Sequence, residues 1–135
     1  MKKKLRAVLD TNILISGIIF KGKPRQVLEK VFEERLKAVT SRILLAELTE
    51  VLTKKFPLLR EKTIIAEQEI EKVFEVVRPS IKVQVQEDDD DNRVLEAAVE
   101  GTCDFIVTGD RQLLNTKIYR GIKIVTASQF LDLIA

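Results

Sequence analysis

The chain of 135 residues has a formal net charge of +2, and 45% of its residues are hydrophobic, which suits one folded domain covering residues 1–135. No run of about 18 apolar residues occurs and no apolar signal core follows the basic start, so neither a membrane span nor a secretion signal is expected. The single Cys103 excludes an internal disulfide, and we therefore expect a cytoplasmic protein.

The predicted elements alternate between strand and helix along the whole chain. The predicted strands are short apolar or alternating runs at residues 6–9, 37–40, 81–85, 104–108 and 122–125. The predicted helices repeat apolar residues every three or four positions. The first begins at about residue 12, and the others run from Pro24 to about Leu36, from a cap at Ser41 to Pro57, over 61–77, from Asp89 to Gly101, over 111–114 and over 128–134. This alternation predicts a three-layer α/β/α fold with a central parallel sheet.

Four acidic residues lie at or after the carboxyl ends of the predicted strands. Asp10 directly follows the first strand, and Asp110 follows the strand at 104–108. Glu47 lies two turns into the helix after the second strand, and Asp91 lies in the first turn of the helix after the third. Because the carboxyl ends of parallel strands lie along one edge of a sheet, we expect all four carboxylates to meet there.

Helical phase distinguishes Asp91 from the three aspartates that precede it. At about 100° per residue, Asp91 shares a face with the apolar residues Val94, Leu95 and Ala98, whereas residues 88–90 point away from that face. A carboxylate on the core-facing side of a helix is costly unless a cation or a hydrogen bond compensates it. Asp91 is therefore predicted to point inward.

Each of these residues also has a purely structural interpretation. Asp10 could cap the following helix, and the run Asp88–Asp91 could favour the positive end of a helix dipole. Glu47 could be an ordinary surface residue, and Thr108-Gly109-Asp110 an ordinary turn. These interpretations do not explain why all four carboxylates fall on one edge.

The chain contains no histidine, so a metal site here would be built from oxygen ligands. Such a site suits a hard cation such as Mg²⁺ or Mn²⁺, which indicates metal-assisted hydrolysis of a phosphate ester. Asn12 and Thr108 are secondary polar candidates that could orient a carboxylate or hold a water molecule. Ser16 and Ser41 are weaker candidates, since helix-surface and cap roles fit them better.

A basic segment lies between the first two predicted helices. Lys21, Lys23 and Arg25 stand close together, whereas the charged residues of 87–110 are almost all acidic. A nuclease needs carboxylates for its metal and cations for the phosphates of its substrate, so these three residues are candidates for binding RNA. The alternative is an ordinary solvated surface.

The chain resembles the PIN-domain nucleases over nearly its whole length. The resemblance is carried by the order and spacing of Val8-Leu9-Asp10-Thr11-Asn12 with Ser16, Thr40-Ser41 through Ala46-Glu47-Leu48, Asp88 through Ala98, and Phe105 through Asp110 with Leu113-Leu114. The segment Ile124-Val125-Thr126 with Phe130-Leu131 is also similar to that family. The branch it most resembles contains toxins of toxin–antitoxin systems related to VapC.

This resemblance implies a Mg²⁺- or Mn²⁺-dependent ribonuclease acting on single-stranded RNA. It implies that Asp10, Glu47, Asp91 and Asp110 form the acidic catalytic and metal-binding quartet, with Thr108 as a polar helper. An antitoxin partner and a homodimer are expected on the same grounds. One departure is visible, because Asp89 stands where the branch often has proline.

Other functions fit parts of the sequence. Enzymes of RNA processing or decay and structure-specific nucleases share the fold, and a catalytically silent Mg²⁺-binding interaction module would share the pocket. A phosphorylated receiver domain needs an Asp at the end of the middle strand and a Lys at the end of a later one, but Gln86 and Thr126 stand there. A haloacid-type phosphatase needs a second Asp where the chain has Asn12.

Overall fold

The structure, a computed structural model, describes residues 3–135 and contains one sheet with helices on both faces. The strands are β1 Arg6–Leu9, β2 Lys37–Ser41, β3 Glu75–Val77, β4 Phe105–Val107, β5 Ile118–Tyr119 and β6 Ile122–Val125. The helices are α1 Thr11–Ile19, α2 Lys23–Phe32, α3 Arg42–Lys55, α4 Arg60–Val73, α5 Asp89–Glu100, α6 Arg111–Thr116 and α7 Ala127–Ile134. A 3-10 turn at Pro57–Leu59 separates α3 from α4.

The strand order of the sheet is β3-β2-β1-β4-β6-β5. β1 lies in the interior and pairs in parallel with β2 and β4, so that Val8 stands opposite Val39 on one side and Ile106 on the other. β3 and β6 extend the parallel sheet outward, whereas β5 pairs with β6 in antiparallel orientation. The predicted α/β/α fold is confirmed, and the carboxyl ends of the five parallel strands lie along one edge.

The three layers follow from the alternation of side chains along β1. Ala7 and Leu9 point to one face of the sheet, where they join an apolar cluster with residues of α1, α2, α3, α4 and α7. Val8 points to the opposite face and joins a second cluster that includes α5 and Leu113 of α6. Residues 7–9 of β1 are therefore buried on both faces, which explains why they are all apolar.

The third strand is not where the sequence pattern predicted it. Residues 81–85 form no strand, and β3 instead occupies Glu75–Val77, at the end of the segment predicted as a helix over 61–77. Val83 is buried, but its backbone N–H donates to Glu96 Oε2 at 2.8 Å and its carbonyl accepts from the guanidinium of Arg93 at 3.2 Å. The segment is thus hydrogen-bonded to side chains of α5 and not to a strand.

Smaller differences concern the ends of elements. α2 ends at Phe32 and not near Leu36, because Glu34 adopts a left-handed backbone with φ 62°. The two-residue strand β5 was not predicted. The predicted cap is confirmed, since Ser41 Oγ accepts a hydrogen bond of 3.4 Å from the N–H of Leu44.

Over residues 3–135, none of the helices has the length and apolar character needed to cross a bilayer.

Candidate metal centre

Asp10 is held where β1 ends, beside β4. Its N–H donates to the carbonyl of Val107 at 3.0 Å, so the pairing of the two strands continues one residue beyond β1. Its Oδ2 accepts a hydrogen bond of 2.7 Å from the hydroxyl of Thr108, and the side chain makes no capping bond to α1. The residue is only 7% exposed. Asp10 therefore occupies the N-cap position of α1, but its side chain is directed to Thr108 and does not cap the helix.

Thr108 connects Asp10 to Asp110. The fully buried Thr108 hydroxyl donates to Asp10 and accepts from the N–H of Asp110 at 3.0 Å. Asp110 in turn caps α6, because its Oδ1 accepts from the N–H groups of Gln112 at 2.8 Å and Leu113 at 3.1 Å. These bonds engage one carboxylate oxygen of each aspartate.

Asp91 lies in the first turn of α5 and is 5% exposed, as helical phase predicted. Its Oδ2 is buried without a hydrogen-bond partner, which is costly for an ionised oxygen unless a proton or a cation compensates it. Burial, followed by repulsion from Asp110, Asp88 and Asp10, raises the pKa of Asp91 from its ordinary value to about 7, and a hydrogen bond between protonated Asp91 and Asp110 adds to this rise. Asp91 thus lies within reach of the charges of the other strand-end aspartates.

Glu47 projects from α3 and is half-buried. Burial, followed by repulsion from Asp90 and Asp10, raises the pKa of Glu47 to about 7. The nearby Thr11 hydroxyl lowers this pKa by more than the repulsion from Asp10 raises it, although Thr11 Oγ1 is buried and makes no hydrogen bond of standard length and angle. Two uncompensated polar groups, on Thr11 and Asp91, therefore occur in the same acidic region.

The crowding of negative charges in this region favours a divalent cation, but the side chains do not form a complete metal site. Burial raises the pKa of Asp10 as well, with the Thr108 hydrogen bond opposing that rise and repulsion from Asp110 adding to it. However, no three acidic or thiol side chains among residues 3–135 stand in a ready-made metal-binding arrangement. The donor set is all oxygen and includes the partnerless Asp91 Oδ2, so it suits Mg²⁺ or Mn²⁺ in chemistry.

Two of the three remaining aspartates of the acidic run have structural roles, whereas Asp90 is the largest source of charge repulsion on Glu47. Asp88 caps α5, because its Oδ1 accepts from the N–H of Asp90 at 2.9 Å. Asp89 Oδ1 accepts from the side-chain amide of Asn92 at 3.3 Å. All three residues of Asp88–Asp90 are exposed, as helical phase predicted.

The secondary candidates are placed differently from one another. Asn12 is exposed at the second position of α1, and the side chains of Lys21, which follows α1, and Lys23, the first residue of α2, are also exposed. Arg25 is half-buried, and its guanidinium donates to the carbonyls of Gly17 and Ile18, both at 2.9 Å. Arg25 therefore caps the carboxyl end of α1.

Sequence reasoning missed three residues next to the site. Asn92 is 1% exposed, and its side-chain amide bonds both the N–H and the carbonyl of Gln86 at 2.9 Å. The Gln86 side chain reaches Thr116 at the end of α6. The only signal in the sequence is the position of Asn92 directly after Asp91 in the first turn of a helix.

Comparisons with known proteins agree with this architecture. The family pattern described as PIN domain matches residues 6–112. No curated protein matches the chain. One similar solved structure is VapBC2 from Rickettsia felis bound to a DNA fragment from their promoter, with a TM-score of 0.59, 16% identity, and coverage of 89% of this chain and 97% of that chain. Another is PAE2754 from Pyrobaculum aerophilum, with a TM-score of 0.62, 15% identity, and coverage of 97% and 89%.

At these identities the two structures establish a shared fold. The family pattern goes further, because it extends from the first residue of β1 to the first turn of α6 and therefore includes all four predicted carboxylates. The chain belongs to the PIN-domain family, a family of nucleases.

Proposed function

We propose that the protein is a Mg²⁺- or Mn²⁺-dependent endoribonuclease that hydrolyses phosphodiester bonds of single-stranded RNA. The observation that carries this proposal is the buried Asp91 Oδ2 without a hydrogen-bond partner, next to the charges of Asp110 and Asp10. A cation bound there would compensate this oxygen, which accepts no hydrogen bond from the described residues. Membership of a nuclease family supplies the class of reaction.

The four carboxylates have different roles in this proposal. Asp10, Asp91 and Asp110 would hold the ion, with Asp10 oriented by Thr108. When bound, a divalent ion lowers the pKa of a water molecule and stabilises charge on the phosphate. Glu47, whose pKa burial raises to about 7, is suited to take up a proton at its carboxylate near neutral pH, or to bind the ion as a fourth ligand.

The substrate backbone would pass over cationic side chains next to this edge. Exposed Arg111 directly follows Asp110 and lines an open depression together with Asp88 and Gln112. Lys21 and Lys23 provide two further exposed cations. Because Arg25 is bound to backbone carbonyls, the contribution of the basic segment to RNA binding would come from the two lysines.

Cleavage assays with charge-removing variants test the proposal. Asp10→Asn and Asp91→Asn should abolish Mn²⁺-dependent cleavage of single-stranded RNA with unchanged circular dichroism. Asp132→Asn, which removes an exposed carboxylate on α7, should cleave like the wild type. Double-stranded RNA and single-stranded DNA of matched sequence identify the substrate class. Full activity in either site variant rules out this centre.

The proposed biological role is the toxin of a toxin–antitoxin pair in the cytoplasm, acting as a homodimer. The fold shared with the VapBC2 structure from Rickettsia felis supports a protein antitoxin as partner. Induced expression of the wild type should arrest growth, and expression of Asp91→Asn should not. Normal growth with wild-type protein that cleaves RNA in vitro would favour RNA processing or decay instead. Light scattering tests the proposed homodimer by measuring the mass of the protein in solution.

A further inference from the structure

The loop before α5 is attached to that helix by side chains spaced at helical intervals. Three backbone N–H groups of the loop donate to three acceptors that lie four residues apart on α5: Ser80 to Glu100 at 2.8 Å, Val83 to Glu96 at 2.8 Å and Gln86 to Asn92 at 2.9 Å. Residues four apart lie on one face of a helix, so α5 presents a single line of acceptors to the loop. The loop is thereby fixed along its length up to the start of the acidic run.

The last of these attachments continues to a second helix. The Asn92 amide holds the backbone of Gln86 through both its N–H and its carbonyl, which fixes the point from which the Gln86 side chain extends. That side chain donates to Thr116 Oγ1 at 2.8 Å, and the Thr116 hydroxyl donates to the carbonyl of Gln112 at 3.2 Å. A continuous path of hydrogen bonds therefore joins the first turn of α5 to the last turn of α6.

These two helices carry two of the carboxylates of the candidate metal centre. Asp91 immediately precedes Asn92 on α5, and Asp110 is the residue that caps α6. We propose that Gln86 and Thr116 are positioning residues, whose hydrogen bond sets the separation and relative rotation of Asp91 and Asp110 and so the affinity for the divalent ion. This inference rests on the proposed function.

Apolar packing alone does not fix this relationship. Leu95 of α5 and Leu113 of α6 are both fully buried in the same cluster, but apolar contacts have no directional preference. α6 has six residues and is only about 9 Å long, so a small rotation displaces its ends. Its start is fixed by the Asp110 cap, its middle by Leu113, and its far end is attached to β6 through the Lys117 carbonyl, which accepts from the N–H of Ile124 at 2.9 Å. The bond from Gln86 to Thr116 is the one that attaches this far end to the loop before α5.

Calorimetric titration of the full chain with MnCl₂ tests the inference in the absence of RNA. Thr116→Val and Gln86→Met each remove the bond between the side chains, and we expect Mn²⁺ to bind about tenfold more weakly to both, as for other groups that orient metal ligands. Thr116→Ser keeps the hydroxyl, and Gln84→Met alters an exposed neighbour of the same loop. Both controls should bind Mn²⁺ like the wild type.

A second measurement distinguishes positioning from loss of folding. At low Mn²⁺ concentration Thr116→Val and Gln86→Met should cleave RNA slowly, and raising the concentration of Mn²⁺ should restore the wild-type rate with KM for RNA unchanged. Partly unfolded protein does not recover in this way. Circular dichroism without metal should be the same for all five proteins.

The outcomes separate this inference from the proposed function. Wild-type affinity in Thr116→Val and Gln86→Met, or equal weakening in Gln84→Met, overturns the positioning role while the nuclease proposal stands. If wild-type protein shows no Mn²⁺ binding and Asp91→Asn loses no cleavage activity, the proposed centre itself fails and the inference fails with it.

Discussion

The Thr108 hydroxyl donates a hydrogen bond of 2.7 Å to Asp10 Oδ2, although 98 positions separate the two residues in sequence. Both side chains are buried, where the solvent cannot replace a lost partner. The bond crosses from the end of β4 to the end of β1 and lowers the pKa of Asp10 against the larger effect of burial. It therefore favours the ionised form of a buried carboxylate and orients it at the centre of the sheet edge.

Thr108→Val should consequently destabilise the protein and weaken its metal site. The substitution preserves side-chain shape but leaves Asp10 Oδ2 without its donor, so we expect a loss of about 1–3 kcal/mol in the free energy of unfolding. Urea denaturation at pH 7.5 measures the loss. Thr108→Ser is the matched control, because it keeps the hydroxyl. Equal stability of the Val and Ser variants would show that the bond contributes nothing.

The metal-free protein should lose stability as pH rises from 5.5 to 8. Burial and mutual repulsion raise the pKa of Asp91 and of Glu47 to about 7, far above the ordinary values that both groups have in the unfolded chain. Between those values the folded state binds more protons than the unfolded state, so stability present at low pH is lost as pH rises through about 7. One unit of raised pKa corresponds to about 1.4 kcal/mol, and we expect at least this loss.

Urea denaturation in EDTA at several pH values checks this dependence. Asp91→Asn should reduce the loss and should be more stable than the wild type at pH 8, because it removes one of the charges that repel. Starting at pH 5.5 avoids the opposite contribution of Glu75, whose pKa is lowered by Arg6 and which destabilises the fold only at more acidic pH. Constant or rising stability between pH 5.5 and 8 would contradict crowding of the carboxylates.

Mn²⁺ should reverse this loss. A cation bound only by the folded state adds about 2.7 kcal/mol when its concentration is 100 times its dissociation constant. The gain should be larger at pH 8 than at pH 5.5, because protons compete for Asp91 and Glu47 at the lower pH. Thermal melts with and without MnCl₂ measure it, with Asp132→Asn as a control that should respond like the wild type. A shift that persists in Asp91→Asn would place the ion elsewhere.

The sequence could place Asp10, Asp91 and Asp110 because their positions depend on local patterns. Asp10 directly follows β1, and Asp110 closely follows β4. The phase of α5 identifies Asp91 as the aspartate that faces the core. Each of these inferences uses only a few neighbouring residues and the rule that parallel strands end at one edge. The same reasoning correctly left Asp88 and Asp90 exposed.

The parts that could not be predicted depend on contacts between distant residues. Residues 81–85 alternate like a strand. However, the backbone of Val83 is hydrogen-bonded to the side chains of Glu96 and Arg93, which lie more than a full turn into α5. Nothing in the local pattern of 81–85 reports those partners. The bond between Gln86 and Thr116, which lie 30 positions apart, has no sequence signature for the same reason.

Arg25 and its neighbouring lysines should respond differently to substitution. Arg25 donates two hydrogen bonds to the end of α1, so Arg25→Ala should lower the free energy of unfolding by about 2 kcal/mol. The exposed Lys21 and Lys23 make no such contact in the described structure, and replacing both by Ala should leave stability within about 0.5 kcal/mol of the wild type. Urea denaturation of the two variants compares them directly.

The lysines should instead affect the binding of RNA. Each phosphate contact contributes about 0.7 to the slope of log affinity against log salt concentration for single strands, so loss of Lys21 and Lys23 should flatten that slope by about 1.4. Fluorescence anisotropy with a labelled oligonucleotide, measured on Asp91→Asn protein to prevent cleavage, gives the slope. If the slope is unchanged, the RNA backbone passes elsewhere, and Arg111 beside Asp110 becomes the next cation to replace.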